Sequence, residues 1–234
     1  MKELRQRWWV VVLFALAMAW VEAAVVLYLR TLVGRIEPYQ PRPLPEIPGL
    51  VSAEIVREGA TLIMLASVGW LAARNLRSAF GYLLIAFGVW DIFYYVFLRI
   101  LTGWPHNLLD WDILFLIPLP WWGPVLAPML VALLMIVTGT LLTGEPAPLQ
   151  PTPRSIAFGI LGVVLILGAF MYDALALCLN RATLEVIRNW LPHSFAWSLF
   201  IPGVLLAAFP ALDLALRNLA RNGLQPPLNQ PSTL

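Results

Sequence analysis

Six stretches of this chain, roughly 8–29, 54–73, 79–101, 123–143, 155–178 and 195–216, are long and apolar enough to cross a bilayer, which takes about 20 such residues in a helix. That feature closes off most folds. Inside hydrocarbon every backbone amide and carbonyl must find a partner within the protein, so such segments assemble as transmembrane helices. The sequence therefore predicts an all-α polytopic membrane helix bundle of six transmembrane helices. Composition agrees: 60% of residues are hydrophobic and 12% charged, where a soluble domain is about a quarter charged. The first segment imitates a signal peptide, with "AMA" as a cleavage-like site. Its apolar run continues through "VEAAVVLYL", too far for a signal core, so it reads as a retained helix.

Six spans put both ends on one side. That side would hold Lys2, Arg5, Arg7, Arg74, Arg77, Arg154, Arg217 and Arg221, and the opposite loops Arg30, Arg35, Arg42, Arg181 and Arg188. Eight basic residues against five predict a cell-membrane protein with both termini in the cytoplasm, because short cytoplasmic loops carry the excess of Lys and Arg. The bundle domain is expected over 1–216 and a disordered cytoplasmic tail over 217–234. Two proline-rich linkers, 37–49 and 144–155, read as extended.

One stretch fits neither helix nor linker: "WPHNLLDWDILFLIPLPWWGP", residues 104–124. Its apolar part, 113–122, is about half a span and is interrupted by Pro118 and Pro120. It reads as one short re-entrant or interfacial segment capping the outer mouth of the bundle.

Residue types exclude several functions. Cys178 is the lone cysteine and there are two histidines, so a thiolate cluster, an internal disulfide, a multi-His di-iron centre or a three-His zinc site is hard to build. Lys2, the sole lysine, precedes the first helix, so no retinal Schiff base forms within the bilayer. A net charge of +2 with scattered arginines gives no footprint for nucleic acid.

The acids are the informative residues. Asp91 stands in the middle of the apolar run "GVWDIFYYVFLR", Glu22 lies in the first helix, Glu54 and Glu58 open the second, and Asp173 lies in the outer third of the fifth. An acid at the centre of a membrane helix costs roughly 2.5–3.5 kcal/mol on insertion scales, so each needs a partner, a proton or a cation. Helical spacing places Glu22 in line with Ala15 and Ala19, and Asp91 in line with Gly88 and Tyr95, which could donate to it. Gly159 and Gly162 make a similar small face before Asp173. Small residues let helices approach closely, so these stripes point the acids into the bundle. For each acid the structural alternative is a hydrogen bond between helices or an arginine pair, most directly Arg57 for Glu54 and Arg99 for Asp91. Asp110 and Asp112 read equally as loop acids or helix caps. Asp213 has Arg217 at ordinary helical pairing distance.

These placements predict an outward-facing intramembrane carboxylate pocket. The first reading is a membrane-embedded enzyme acting on a lipid or isoprenoid-like amphiphile by acid–base or metal-assisted chemistry. Asp91, Glu58, Glu22 and Asp173 would be its catalytic groups, and Trp90, Tyr94, Tyr95 and Trp111 its substrate-binding aromatics. Glu22, Glu58, Asp91 and His106 would hold any divalent metal ion, a hard or intermediate cation such as Mg²⁺, Ca²⁺ or Mn²⁺. In size, span number and use of acids beside aromatics the chain is similar to membrane-integral terpene cyclases, although none of their motifs lies on it. The alternatives are an accessory subunit with a membrane-protein partner or a second copy of itself, and a cation or proton transporter.

Overall fold

The computed structural model describes residues 2–35, 37–40, 47–144, 150–183, 186 and 190–223. Arg42, Arg188, parts of both proline-rich linkers and the tail beyond Gly223 lie outside the described residues. The helices are α1 (Lys2–Leu32), α2 (Leu50–Ala72), α3 (Leu76–Thr102), α4 (Leu126–Thr143), α5 (Pro153–Phe170), α6 (Tyr172–Leu179), α7 (Trp197–Ala207) and α8 (Phe209–Gly223). Among the described residues six helical stretches, with α7 and α8 acting as one, are long and apolar enough to span a membrane. They fit a multi-pass membrane protein.

Local chemistry sets several boundaries. Asn75 accepts from the Ser78 amide at 2.9 Å while the Ser78 hydroxyl accepts from the Asn75 amide at 3.1 Å, a reciprocal cap that starts α3. Gly103, in the left-handed region at φ 78°, ends it as glycine commonly does. Thr152 caps α5 and Pro153 occupies its first turn, where a missing N–H costs nothing. Two expectations shift. The fifth span, expected over 155–178, is interrupted at Met171, with no proline there to announce it. The last helix runs to Gly223, seven residues beyond the expected end of the bundle.

Contacts at one end of the bundle fix the topology. Arg7 donates to the Ala72 carbonyl at 2.8 Å, Arg74 pairs with Glu3 at 2.6 Å, and the Trp8 indole donates to Thr140 at 3.2 Å. Asp213 accepts from the Thr152 amide at 2.7 Å and lies 3.8 Å from Arg217. The start of α1, the α2–α3 turn, the end of α4, the start of α5 and α8 thus share one side, here the terminal side. The opposite one is the hairpin side.

The bundle has two halves. α3 packs on α1, α2 and α4, while α5 packs on α7 and α8. Small residues set the closeness of each pairing. A Cβ on Gly88 would lie 2.4 Å from the Ala132 carbonyl oxygen, and one on Gly139 would lie 2.4 Å from that of Gly81. α3 and α4 therefore touch backbone to backbone, as small residues allow in membranes. α4 and α5 scarcely meet; β2 and α8 bridge the halves.

The stretch between α3 and α4 is a hairpin. β1 (Trp111–Phe115) pairs antiparallel with β2 (Trp121–Pro124), Asp112 opposite Gly123, with an irregularity between Ile113 and Phe115. Three prolines without an N–H prevent a helix here, whereas the aromatic and branched residues of "WDILF" suit a strand. The hairpin enters and leaves at one level, since Val125 donates to the Asp110 carbonyl at 3.0 Å. It does not span. It is re-entrant: the Phe115 ring stacks on Phe87 at 6.3 Å, fifteen residues from the end of α3, about 22 Å along the helix.

Gly139→Leu should force α3 and α4 apart and destabilise the protein by about 1–3 kcal/mol or more. Gly59→Ala, whose Cβ meets nothing within 4 Å, should stabilise α2 by up to about 1 kcal/mol. Thermal unfolding in detergent compares the two, and equal effects would contradict this packing.

Candidate functional site

The hairpin, α1, α2 and α3 enclose a cavity of about 730 Å³ on the hairpin side, within the range of about 300–1,000 Å³ typical of ligand sites. Each wall is apolar along most of its length and carries polar groups in its hairpin-side half. These are Glu22 and Arg30 from α1, Glu54, Arg57, Glu58 and Thr61 from α2, Asp91 from α3, and Asp112 from the hairpin.

Arg57 ties the first two helices together. It donates to Glu54 through Nε at 3.0 Å and Nη2 at 2.9 Å, and through Nη1 to Glu22. The Thr61 hydroxyl donates to the other oxygen of Glu22. Glu22 is 5% exposed and thus has a donor on each oxygen. A buried charge is tolerable when paired and hydrogen-bonded in this way.

Glu58 holds the hairpin. Both of its oxygens accept from the Leu116 amide, at 3.1 and 2.9 Å, just after β1 ends. Glu58 lies eight residues into α2, about 12 Å below its start, and there an orphan amide would cost about 1–3 kcal/mol.

Asp112 holds the hairpin from the other strand face. Arg30 donates to its Oδ1 at 3.3 Å and its own chain supplies the Ile113 amide at 3.0 Å, with the Tyr95 ring alongside. Arg30 lies over the Trp104 ring, 4.3 Å from its centroid, a cation–π contact that strengthens once water is excluded.

Asp91 is different. It faces the cavity eleven residues before the end of α3, about 16 Å down the helix, beside Trp90 and Tyr94. Among the described residues no hydrogen bond or ion pair reaches its carboxylate. Tyr95, expected to donate to Asp91, has its hydroxyl beside the Asp112 carboxylate instead. Arg99, its expected arginine, binds the carbonyls of Gly103 and Pro105 at the helix end.

Several expected site residues thus come together and others do not. Glu22, Glu58, Asp91, Trp90, Tyr94 and Tyr95 all line the cavity. Asp173 is not among them; it sits in α6 facing His193 and Trp190, although Cys178 of the same helix does line the cavity. Trp111 is not among the residues lining the cavity; it stacks on Tyr39 at 5.9 Å and meets Phe195 edge-on. His106 is bonded to Glu37 at 3.1 Å in the exposed loop. The four residues expected to hold a metal therefore do not assemble: His106 is elsewhere, and Glu22 and Glu58 already face donors. Among the described residues no three His, Cys, Asp or Glu side chains group as a metal site.

Arg30 and Asp112 are the partners the sequence hides. The Asp112 position in "WDILF" is also that of a cap, and only the strand pairing turns it inward. Arg30 sits where a helix-ending arginine ordinarily snorkels to water. No family model, curated protein or solved structure matches this chain.

Glu58→Leu should destabilise the protein by about 1–3 kcal/mol by orphaning the Leu116 amide. Glu58→Gln keeps a carbonyl acceptor and should cost less. Thermal unfolding of the two variants in detergent checks the ordering, and equal loss would mean that Glu58 does not secure the hairpin.

Proposed function

We propose that the cavity is the active site of a membrane-embedded enzyme that receives the polar head of a lipid or isoprenoid-like amphiphile and acts on it by acid–base chemistry. One observation carries the reading. Every other cavity acid is engaged by a donor from the protein, whereas Asp91 faces the space with none. An ionisable side chain within a membrane is a functional group by default when it faces a cavity. A carboxyl without a protein partner is the one able to give a proton to a ligand or take one from it.

The surroundings suit that role. Trp90 stacks on Tyr94 at 6.2 Å, giving a flat aromatic wall beside the carboxyl. The Arg57 and Asp112 networks fix the three helices and the hairpin, so Asp91 is presented by rigid elements, as productive geometry requires. Acid–base chemistry is preferred to a metal-assisted route because the oxygens of Glu22 and Glu58 already accept protein hydrogens. With the hairpin side outward, as the arginine distribution favours, the head enters from the outer leaflet and both termini are cytoplasmic.

A cation or proton transporter is a second reading. It is favoured by the position of Asp91, which lines both this cavity and a second, apolar one on its far side. The accessory-subunit reading is less well supported, because Arg99, the internal partner it would use, binds elsewhere.

Positioned general acids and bases contribute about 10²–10⁴-fold to rate, so Asp91→Asn should lose nearly all activity while Tm stays near wild type. Cells expressing the wild type should show a lipid or isoprenoid species that changes in abundance by mass spectrometry and is unchanged in cells expressing Asp91→Asn. Identical profiles from folded wild type and variant would overturn the enzyme reading.

A further inference from the structure

The cleft between the two halves of the bundle is the second large cavity, about 910 Å³. α3 and α4 form one wall and α5 the other, with the hairpin rings Phe115 and Trp121 above and Pro210 of α8 below. Its surface is apolar almost throughout. It extends from Asp91 to Leu76 at the terminal end of α3, fifteen residues or about 22 Å along the helix.

Three residues, Asp91, Leu114 and Phe115, line this cleft and the polar cavity alike. The two spaces are therefore neighbours separated by one hairpin strand and one carboxylate. Their chemistry is graded: charged and hydroxyl groups on the hairpin side, Asp91 at the junction, and a mostly hydrocarbon lining beyond it as far as Arg77 and Gln150 at the terminal end. That gradation is the pattern of an amphiphile.

We infer that the cleft holds the hydrocarbon chain of a single-chain amphiphile, acyl or prenyl, whose head lies at Asp91. This rests on the reading of the polar cavity as the head-group site. The cleft also supplies the way in. Towards the terminal side α4 and α5 scarcely touch, their shared packing being at Ala127 and Val131 by the hairpin, and Val163 and Val164 on α5 are well exposed, so a chain moves in laterally from the bilayer without crossing water. Such a chain gains no hydrophobic free energy on leaving lipid, because bilayer tails are as apolar as the cleft. Selection must come from the junction: the chain is held where its head reaches Asp91 and Tyr94, and a molecule lacking a polar head has no preference for the cleft.

Photolabelling of the purified protein in phosphatidylcholine nanodiscs tests this with two probes. One is a long-chain primary alcohol with a diazirine at its far end, and the other carries the diazirine beside the hydroxyl. The far-end probe should label the α4 and α5 peptides around Met135 and Val163. Excess unlabelled alcohol, or Val163→Trp, should lower that labelling about tenfold, a preference of 1.4 kcal/mol. The head-end probe should label the peptide containing Asp91 and Tyr94. Far-end labelling spread over all lipid-facing helices, insensitive to competitor and to Val163→Trp, would overturn the chain site; competed head-end labelling would then leave the active-site reading standing. Loss of specific labelling by both probes would remove both.

Discussion

A backbone that leaves the helix within hydrocarbon must find a partner for each peptide group, and here the hairpin between α3 and α4 imposes that requirement. Its strands satisfy one another through the ladder, but a two-stranded ribbon has open edges and a turn. Glu58 takes the amide after β1, and Asp112 anchors β1 to Arg30. These buried acids are therefore the means by which an irregular segment is kept at membrane depth. Arg57, which joins Glu22 to Glu54, holds α2 where Glu58 can reach the hairpin.

The same arrangement creates the cavity. A hairpin that stops at the level of Phe87 separates a polar chamber from an apolar cleft. Close packing at Gly88 and Gly139 presses α4 against α3, leaving the cleft to open on the side of α5. Asp91 stands at the boundary of both spaces. Among the described residues it is the one cavity acid with no donor from the protein.

Much of this was legible in the sequence, and the unread remainder has a physical cause. Apolar length alone places the six membrane helices, because hydrocarbon thickness is a fixed ruler. Helical phase brings Glu22, Glu58 and Asp91 to one interior, since small residues at Ala15, Ala19 and Gly88 mark contact faces. Pairing across elements is not periodic, and so it escapes. Nothing local links Glu58 to Leu116, Asp112 to Arg30, or Tyr95 to Asp112 rather than to its helical neighbour Asp91. The prolines at 118, 120 and 124 show that the segment is no helix, but an apolar run with prolines is equally compatible with a surface loop. The break at Met171 has no proline to signal it, and Asp173 beyond it faces His193 and Trp190 rather than the cavity.

Hydrogen exchange of the amides from Trp111 to Gly123, followed by mass spectrometry in nanodiscs, tests the central claim most directly. A hairpin embedded among helices and held by Glu58 and Asp112 predicts slow exchange across both strands and at Leu116, with protection at Leu116 lost in Glu58→Leu. Exchange as fast as that of an unstructured loop would contradict the account, because without a fixed hairpin neither the cavity nor the position of Asp91 within it would persist.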